Sequence, residues 1–523
     1  MQSNSANRQI ARASLVVMAG FVLSNLTSLA RTILTARIFG ASEALDAFNV
    51  AQRLPDILFM LVAGGALASA FIPTVTAFLE NDDRAGAWRL ASAVINLVIL
   101  VLLAVCLLVW IFARPLIELV TQFNPLQQAL TVELLRIMLL SPVIFGISGL
   151  LMAVLNTHQR FWLPALAPTM YWGGMIAGLL LFVPSLGIHG LAWGAVLGAA
   201  LHFAVQLPGV LRLPARRYTL TLGLNIPAVR EVGRLMAPRL LGVAVVQLNF
   251  LVNVIIGSGL SEGSLSALDY AFRIMTVPQV VIAQAIAIAA LPTFAAQVAR
   301  GELGEMRHSL AATLRGILFL SLPATLGLIL LRQPVIALLY QRGQFSAEDT
   351  RLVAWALLWY TAGLVGHSLV EILSRAFYAL HDTRTPVLVG IGAMTLNVIF
   401  SLVFPGWFAS IGWLAMGGLA LANSLATALE MGVLLWLMHG RLDGLEGRHL
   451  AMGAGKSMLA TALMAAAVMW LLTAFEAASV WLLVPVGITL GGAVYALAMA
   501  LLRVEEVGAV WAVVQQRLPR YHS

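Results

Sequence analysis

Long stretches of this chain carry almost no charge, and that limits its fold more than any motif does. Apolar stretches recur near 14–39, 54–79, 90–113, 131–155, 162–183, 188–211, 232–258, 265–298, 309–331, 350–379, 386–404, 411–438, 455–475 and 479–502. A helix of about twenty residues crosses a hydrocarbon layer of about 30 Å, so these stretches are membrane spans rather than core helices. Hydrophobic residues make up 60% of the chain and charged ones 10%, with a mean hydropathy of +0.92, well outside the soluble range. The expected fold is an all-α polytopic membrane protein of about 14 transmembrane helices. The first stretch is too long for a cleavable signal peptide, carries Arg31 and lacks a small-residue cleavage site. A lone cysteine, Cys106, excludes an internal disulfide and a multi-cysteine metal site.

The connections are short, and the longest, 212–231, has room only for an amphipathic surface helix. With the N-terminus inside, nineteen basic residues fall in inner segments and five (Arg53, Arg114, Arg332, Arg342 and Arg351) in outer loops. That asymmetry places both termini in the cytoplasm and accounts for the net charge of +8 without nucleic acid. The cluster Arg212, Arg216 and Arg217 fits a topogenic role or contact with anionic headgroups.

The chain also repeats itself. Asp46 to Pro55 and Asp269 to Pro278 share one spacing, and Ile72-Pro73-Thr74 is echoed by Leu291-Pro292-Thr293. Pro115-Leu-Ile-Glu-Leu-Val120 answers to Pro334-Val-Ile-Ala-Leu-Leu339, and Gly190-Leu-Ala-Trp-Gly194 to Gly418-Leu-Ala-Leu-Ala422. Six spans per copy is an even number, so both copies enter the membrane in the same sense. The expectation is a pair of parallel six-helix lobes, 14–211 and 232–438, joined by a cytoplasmic amphipathic linker at 212–231, with two extra helices over 455–502. Transporters built from repeats hold their substrate between the lobes.

Charges within spans mark the residues to examine. A mid-span arginine costs roughly 2.5–3.5 kcal/mol on insertion scales, so Arg31 is expected to face protein or water. Asp269 and Arg273 open span eight. Glu371 and Arg375 stand at i and i+4 in span ten, one turn after His367. This face is either a cavity wall whose His367 and Glu371 carry protons or a self-neutralised structural pair. Gly64-Gly65 in span two allows a gating bend or a close packing contact. The stripes Gly174, Gly178 and Gly190, Gly194, Gly198 point to close helix packing. The chain has no phosphate-binding glycine loop, no His-Glu-x-x-His and no histidine set with ligand spacing. No enzyme, metal or cofactor is expected. Energy would come from an unidentified coupling ion, the membrane potential or the substrate gradient.

The stretch Ala30-Arg31-Thr-Ile-Leu-Thr-Ala-Arg-Ile-Phe-Gly40, with Asp46-Ala-Phe48, Leu54-Pro55 and Ala70-Phe-Ile-Pro73, resembles the lipid II flippase (MurJ/MviN) family. Leu155-Asn-Thr-His-Gln-Arg-Phe161 and Ala376-Phe-Tyr-Ala-Leu-His-Asp-Thr-Arg-Thr-Pro386 are similar too. The resemblance implies the multidrug/oligosaccharidyl-lipid/polysaccharide exporter fold. It also implies movement of the undecaprenyl-pyrophosphate-linked peptidoglycan precursor to the outer leaflet of a bacterial inner membrane, by a monomer. Arg31 and Arg273 then correspond to cavity arginines and Asp46 to an acid at the outer end. Three positions depart from the family pattern: Asn25, kept here as a candidate cavity residue, and Phe59 stand where arginines are usual, and Phe272 where an acid is usual. Arg53 and Arg375 are the candidate compensating cations. Another polyprenyl-linked saccharide, or a drug/cation antiporter of the same superfamily, is the alternative reading.

Overall fold

The computed structural model describes residues 2–63, 66–214 and 217–504, and they fold into helices joined by short turns. Contacts divide the chain into two compact units, Met1–Ser266 and Ala267–Ser523. Among the described residues, eleven helices are long and apolar enough to cross a membrane, or twelve if one bent pair counts as a single span. Helices also occupy the other two expected stretches, 54–79 and 232–258.

In the first unit, α1 (Gln2–Phe39) is followed by α2 (Glu43–Ala63) and α3 (Ala66–Glu80). Next come α4 (Arg84–Ile111), the short α5 (Ala113–Val120), α6 (Pro125–Met138), α7 (Leu140–Thr157) and α8 (Trp162–Ala177). A five-residue π stretch, Gly178–Phe182, leads into α9 (Val183–Leu186), α10 (Ile188–Ala204), α11 (Leu207–Leu211) and α12 (Pro227–Gly257). The core joins Phe71 and Val75 of α3, Leu90 and Val94 of α4, and Leu150 and Val154 of α7. The two glycine stripes meet face to face. A methyl group added at Gly174 would overlap the backbone of Gly198, and one at Gly178 that of Gly194. In lipid this close approach, rather than expulsion of water, holds helices together.

The 212–231 connection differs from expectation. Over 217–226 the chain is not helical, and α12 begins only at Pro227. Gly223 adopts φ +58°, which a helix cannot accommodate, and hydrogen bonds to α4 hold the segment extended.

The second unit continues α13 (Ser264–Gln279), where Pro278 precedes a π stretch, Val280–Gln284, and α14 (Ala285–Ala299). Then follow α15 (Leu303–Leu330), α16 (Arg332–Tyr340), α17 (Ala347–Ala362), α18 (Leu364–Ala379), α19 (Arg384–Ser410) and α20 (Met416–Arg441). Its core joins Leu310 and Leu314 of α15, Ile372 and Leu373 of α18, and Leu434 and Met438 of α20. The last pair, α21 (Gly447–Ala474) and α22 (Val480–Leu501), pack through Met464 and Met499. The Tyr495 hydroxyl of α22 donates to the Phe319 carbonyl of α15 at 2.7 Å.

Helices α17 and α18 meet at 42° around Gly363. A side chain there would collide with Ser424 of α20, and the Ser424 hydroxyl donates to the Trp359 carbonyl at 2.6 Å and that of Tyr360 at 3.2 Å. Neighbouring hydroxyls commonly satisfy carbonyls freed by a bend inside a membrane.

Candidate functional site: buried charges in each unit

Arg31 is only 4% exposed, in the last third of α1, with Thr32 and Thr35 buried beside it. Its guanidinium carbon lies 5.6 Å from the centre of the Trp172 ring on α8, within cation–π range. Helices α1 and α8 come this close because Gly20 presents bare backbone to Ala165. From Trp172 a chain of rings runs inward through the unit. Tyr171 is 4.8 Å from Trp172, Phe145 is 5.0 Å from Tyr171, and Phe59 is 4.5 Å from Phe145. Phe59, one of the departures from the family pattern, is thus the far end of an aromatic row that ends at Arg31. Arg53 is half-buried on α2, beside Gln52, whose amide reaches the Tyr171 hydroxyl at 3.5 Å.

Asn25 does not join this group. Six residues turn a helix by about 240°, which puts Asn25 on another face from Arg31. It is exposed, and its amide donates to the Phe21 carbonyl of its own helix at 2.8 Å.

Asp46, buried near the start of α2, accepts three hydrogen bonds. They come from the Gly263 backbone N–H at 2.9 Å, the Ser266 N–H at 2.7 Å and the Ser266 hydroxyl at 2.6 Å. Asn49, one turn later, donates to the Ser266 oxygen at 3.1 Å. The carboxylate therefore caps the first turn of α13, supplying an acceptor and a negative charge where a helix has spare N–H groups and a positive dipole end. Gly263 makes the approach possible. Its φ is +75°, and any side chain would run into the Ala41 carbonyl.

In the second unit the charges come in pairs. Arg273 Nε is 2.7 Å from Asp269 Oδ2, and Arg375 Nη2 is 2.8 Å from Glu371 Oε1, each one helical turn apart. All four side chains are partly exposed. Arg375 also lies 6.0 Å from the centre of the Tyr378 ring. His367 turns away from Glu371, and its Nε2 faces Asn423 Oδ1 at 3.1 Å and the Thr427 hydroxyl at 3.4 Å on α20. Phe272, the third departure, stacks edge-on against Tyr360 at 5.3 Å. Gly64 and Gly65 lie outside the described residues.

Three participants escaped the sequence reading: Trp172, the row of rings behind it, and the Gly263–Ser266 turn that receives Asp46. The rings gave only ordinary aromatic content. The turn lies 217 residues from its acid, although Gly263 between Glu262 and Ser264 has the look of a turn glycine.

Residues 35–489 match the family model described as "Lipid II flippase MurJ". The chain belongs to the MurJ family. A Burkholderia cenocepacia relative named "Lipid II flippase MurJ" is 34% identical over 429 residues, covering 80% of this chain and 83% of its own. A Vibrio cholerae relative, "Probable lipid II flippase MurJ", is 28% identical over 489 residues, covering 89% and 90%. A solved structure described as "Lipid II flippase MurJ, inward closed conformation" superposes with a TM-score of 0.81 at 25% identity, over 94% of this chain and all of that one. An inward-facing multidrug transporter of the MATE family shares the fold at a TM-score of 0.66 and 16% identity, over 81% of this chain and 96% of its own. The MurJ family consists of transporters, so the chain is not an enzyme.

Proposed function

We propose that this protein carries the undecaprenyl-pyrophosphate-linked peptidoglycan precursor from the inner to the outer leaflet of a bacterial cytoplasmic membrane, by alternating access of two six-helix lobes. The observation that carries the reading is the family match over 35–489, joined to a nearly fully buried arginine in the first span. In this reading fourteen spans cross the bilayer as a monomer, with both termini in the cytoplasm, an orientation that the basic-residue asymmetry supports. Arg31 and Arg273 contact the pyrophosphate, which favours guanidinium groups because they give paired, charge-assisted hydrogen bonds. Arg53 and Arg375 add positive charge. Arg273 and Arg375 reach the anion by exchanging the carboxylates of Asp269 and Glu371 for phosphate oxygens, so the acids hold the guanidinium groups oriented while the site is empty. Asp46 acts as a gating residue through its cap on α13. An ion gradient, the membrane potential or the substrate gradient supplies the drive.

The test is replacement of the resident flippase in a depletion strain by this chain. Precursor should become accessible to an added enzyme that cleaves the pyrophosphate from outside, and growth should return. Normal expression with the precursor still confined to the inner leaflet would overturn the assignment. Appearance outside of a different lipid-linked saccharide would support the alternative cargo.

A further inference from the structure

The segment between α11 and α12 is a strap rather than a loose loop. Its ends are fixed in the apolar core by Leu213 and by Val229 and Val232. Its middle is fixed by two polar side chains of α4. Asn96 donates its amide to the carbonyls of Thr219 at 3.1 Å and Thr221 at 2.8 Å, and its oxygen accepts from the Tyr218 hydroxyl. Ser92 accepts from the Thr219 N–H at 3.1 Å. Gly223 fits flat against Ala93, and Arg230 donates to the Leu224 carbonyl at 2.9 Å. The sequence Tyr218-Thr-Leu-Thr-Leu-Gly-Leu224 alternates, so an extended chain turns its small and hydroxylated residues toward α4 and its large apolar ones outward. The outward set is exposed: Tyr218 by 59%, Leu220 by 90%, Leu222 by 39% and Leu224 by 56%. Around it lie the exposed Arg212, Arg217, Arg230 and Arg234.

We infer that this strap lies in the inner face of the bilayer, its three leucines, Leu220, Leu222 and Leu224, among acyl chains and its flanking arginines among anionic lipid headgroups. Three observations converge on a lipid surface rather than water. A row of exposed apolar side chains on a tethered segment is costly in water and favourable in lipid. Non-helical backbone at membrane depth needs partners for its polar groups, and here Ser92, Asn96 and Arg230 take the Thr219 N–H and the carbonyls of Thr219, Thr221 and Leu224. Asn96 also lies about 18 Å along α4 from Arg84, at about 1.5 Å per residue, well inside a span whose mean hydropathy reaches 3.2. The flanking cations supply the charge that anionic inner-leaflet lipids attract. This inference does not depend on the cargo.

Spin labels test it on the full-length protein. Leu220→Cys, Leu222→Cys and Leu224→Cys, each in a Cys106→Ala background, are labelled and reconstituted in vesicles of phosphatidylglycerol and phosphatidylethanolamine. Oxygen, which concentrates in the bilayer, should collide with all three labels more than a water-soluble nickel chelate does, and Asn81→Cys should show the reverse. Unlabelled melting temperatures in detergent identify any variant that misfolds, and the remaining labels then carry the test. In vesicles of phosphatidylcholine alone the oxygen preference should fall. Labels at 220, 222 and 224 that favour nickel place the strap in water and overturn the inference. Spectral broadening from a neighbouring label assigns the face to a second copy and overturns it too. An unchanged oxygen preference without anionic lipid overturns the role of the arginines.

Discussion

Replacing Asp46 with alanine removes an acceptor that two buried N–H groups and one hydroxyl share. Hydrogen bonds to a charged group contribute about 1.5–3 kcal/mol each, and an N-cap about 0.5–2 kcal/mol. The three bonds converge on one carboxylate and do not add, so about 2–4 kcal/mol is a reasonable loss for the cap as a whole. At tenfold for every 1.4 kcal/mol, the first turn of α13 should open about thirty- to several-hundred-fold more often. Hydrogen exchange followed by mass spectrometry reads this directly. In the Asp46→Ala protein, amides over 263–267 should exchange faster by that factor, while peptides from the α4–α7 core keep their rates. Asp46→Asn should lie between the two. Its amide keeps one acceptor oxygen but presents N–H₂ to a position where a donor already stands. Unchanged exchange at Gly263 and Ser266 in the alanine protein would refute the capping argument and leave Asp46 without a gating role.

Arg31→Ala should abolish complementation at normal membrane levels, because one lost charge-assisted contact of about 1.5–3 kcal/mol lowers cargo binding about ten- to a hundred-fold; Arg31→Lys should rescue in part, and normal growth of both would make the residue structural. Gly178→Leu should drive α8 and α10 apart and cost about 1–3 kcal/mol or more, seen as a lower melting temperature in detergent, while Gly173→Leu, where nothing lies within 4 Å, should not. Asp382 accepts from the Thr385 N–H at 3.0 Å and from its hydroxyl at 2.7 Å, and Arg441 stands 3.0 Å away. These contacts, the Thr385 backbone bond foremost, hold its carboxyl below the ordinary 3.8. A depressed carboxyl stabilises fully above its ordinary value and loses that contribution as pH falls through the lowered one, so the melting temperature should drop below about pH 4 and the drop should shrink in Asp382→Asn. Cysteines at Gln344 and Gly444, in a Cys106→Ala background, should label from outside and inside respectively; the opposite pattern would invert the topology.

Eleven spans, or twelve with the bent pair, were legible because length and apolarity alone mark them among the described residues. The glycine stripes were legible for a related reason: four-residue spacing of small residues has one geometric meaning on a helix, and Gly174 against Gly198 realises it. The pair Glu371–Arg375 was readable from its spacing within one turn. Asp269–Arg273 has the same spacing and forms the same one-turn pair. What the sequence does not reveal is contact between distant segments. Nothing in Asp46 indicates a partner at Gly263, and nothing in Phe59 indicates that rings on α7 and α8 will extend it toward Arg31. The 212–231 segment carries two competing signals. Its arginines and leucines suggested an amphipathic helix, yet the two-residue alternation from Tyr218 to Leu224, bounded by Pro214 and Pro227, is the period of an extended chain.

The bend at Gly363 has a mechanical consequence. A helix that merely lacks a side chain at one point is a flexible joint, free to straighten under load. Here the Ser424 hydroxyl of α20 holds the Trp359 and Tyr360 carbonyls at the corner, and Ser424 packs directly against Gly363. Straightening would pull both carbonyls away from Ser424. The corner behaves as a brace, so α17, α18 and α20 should travel as one stiff piece during transport, with deformation concentrated elsewhere in the chain.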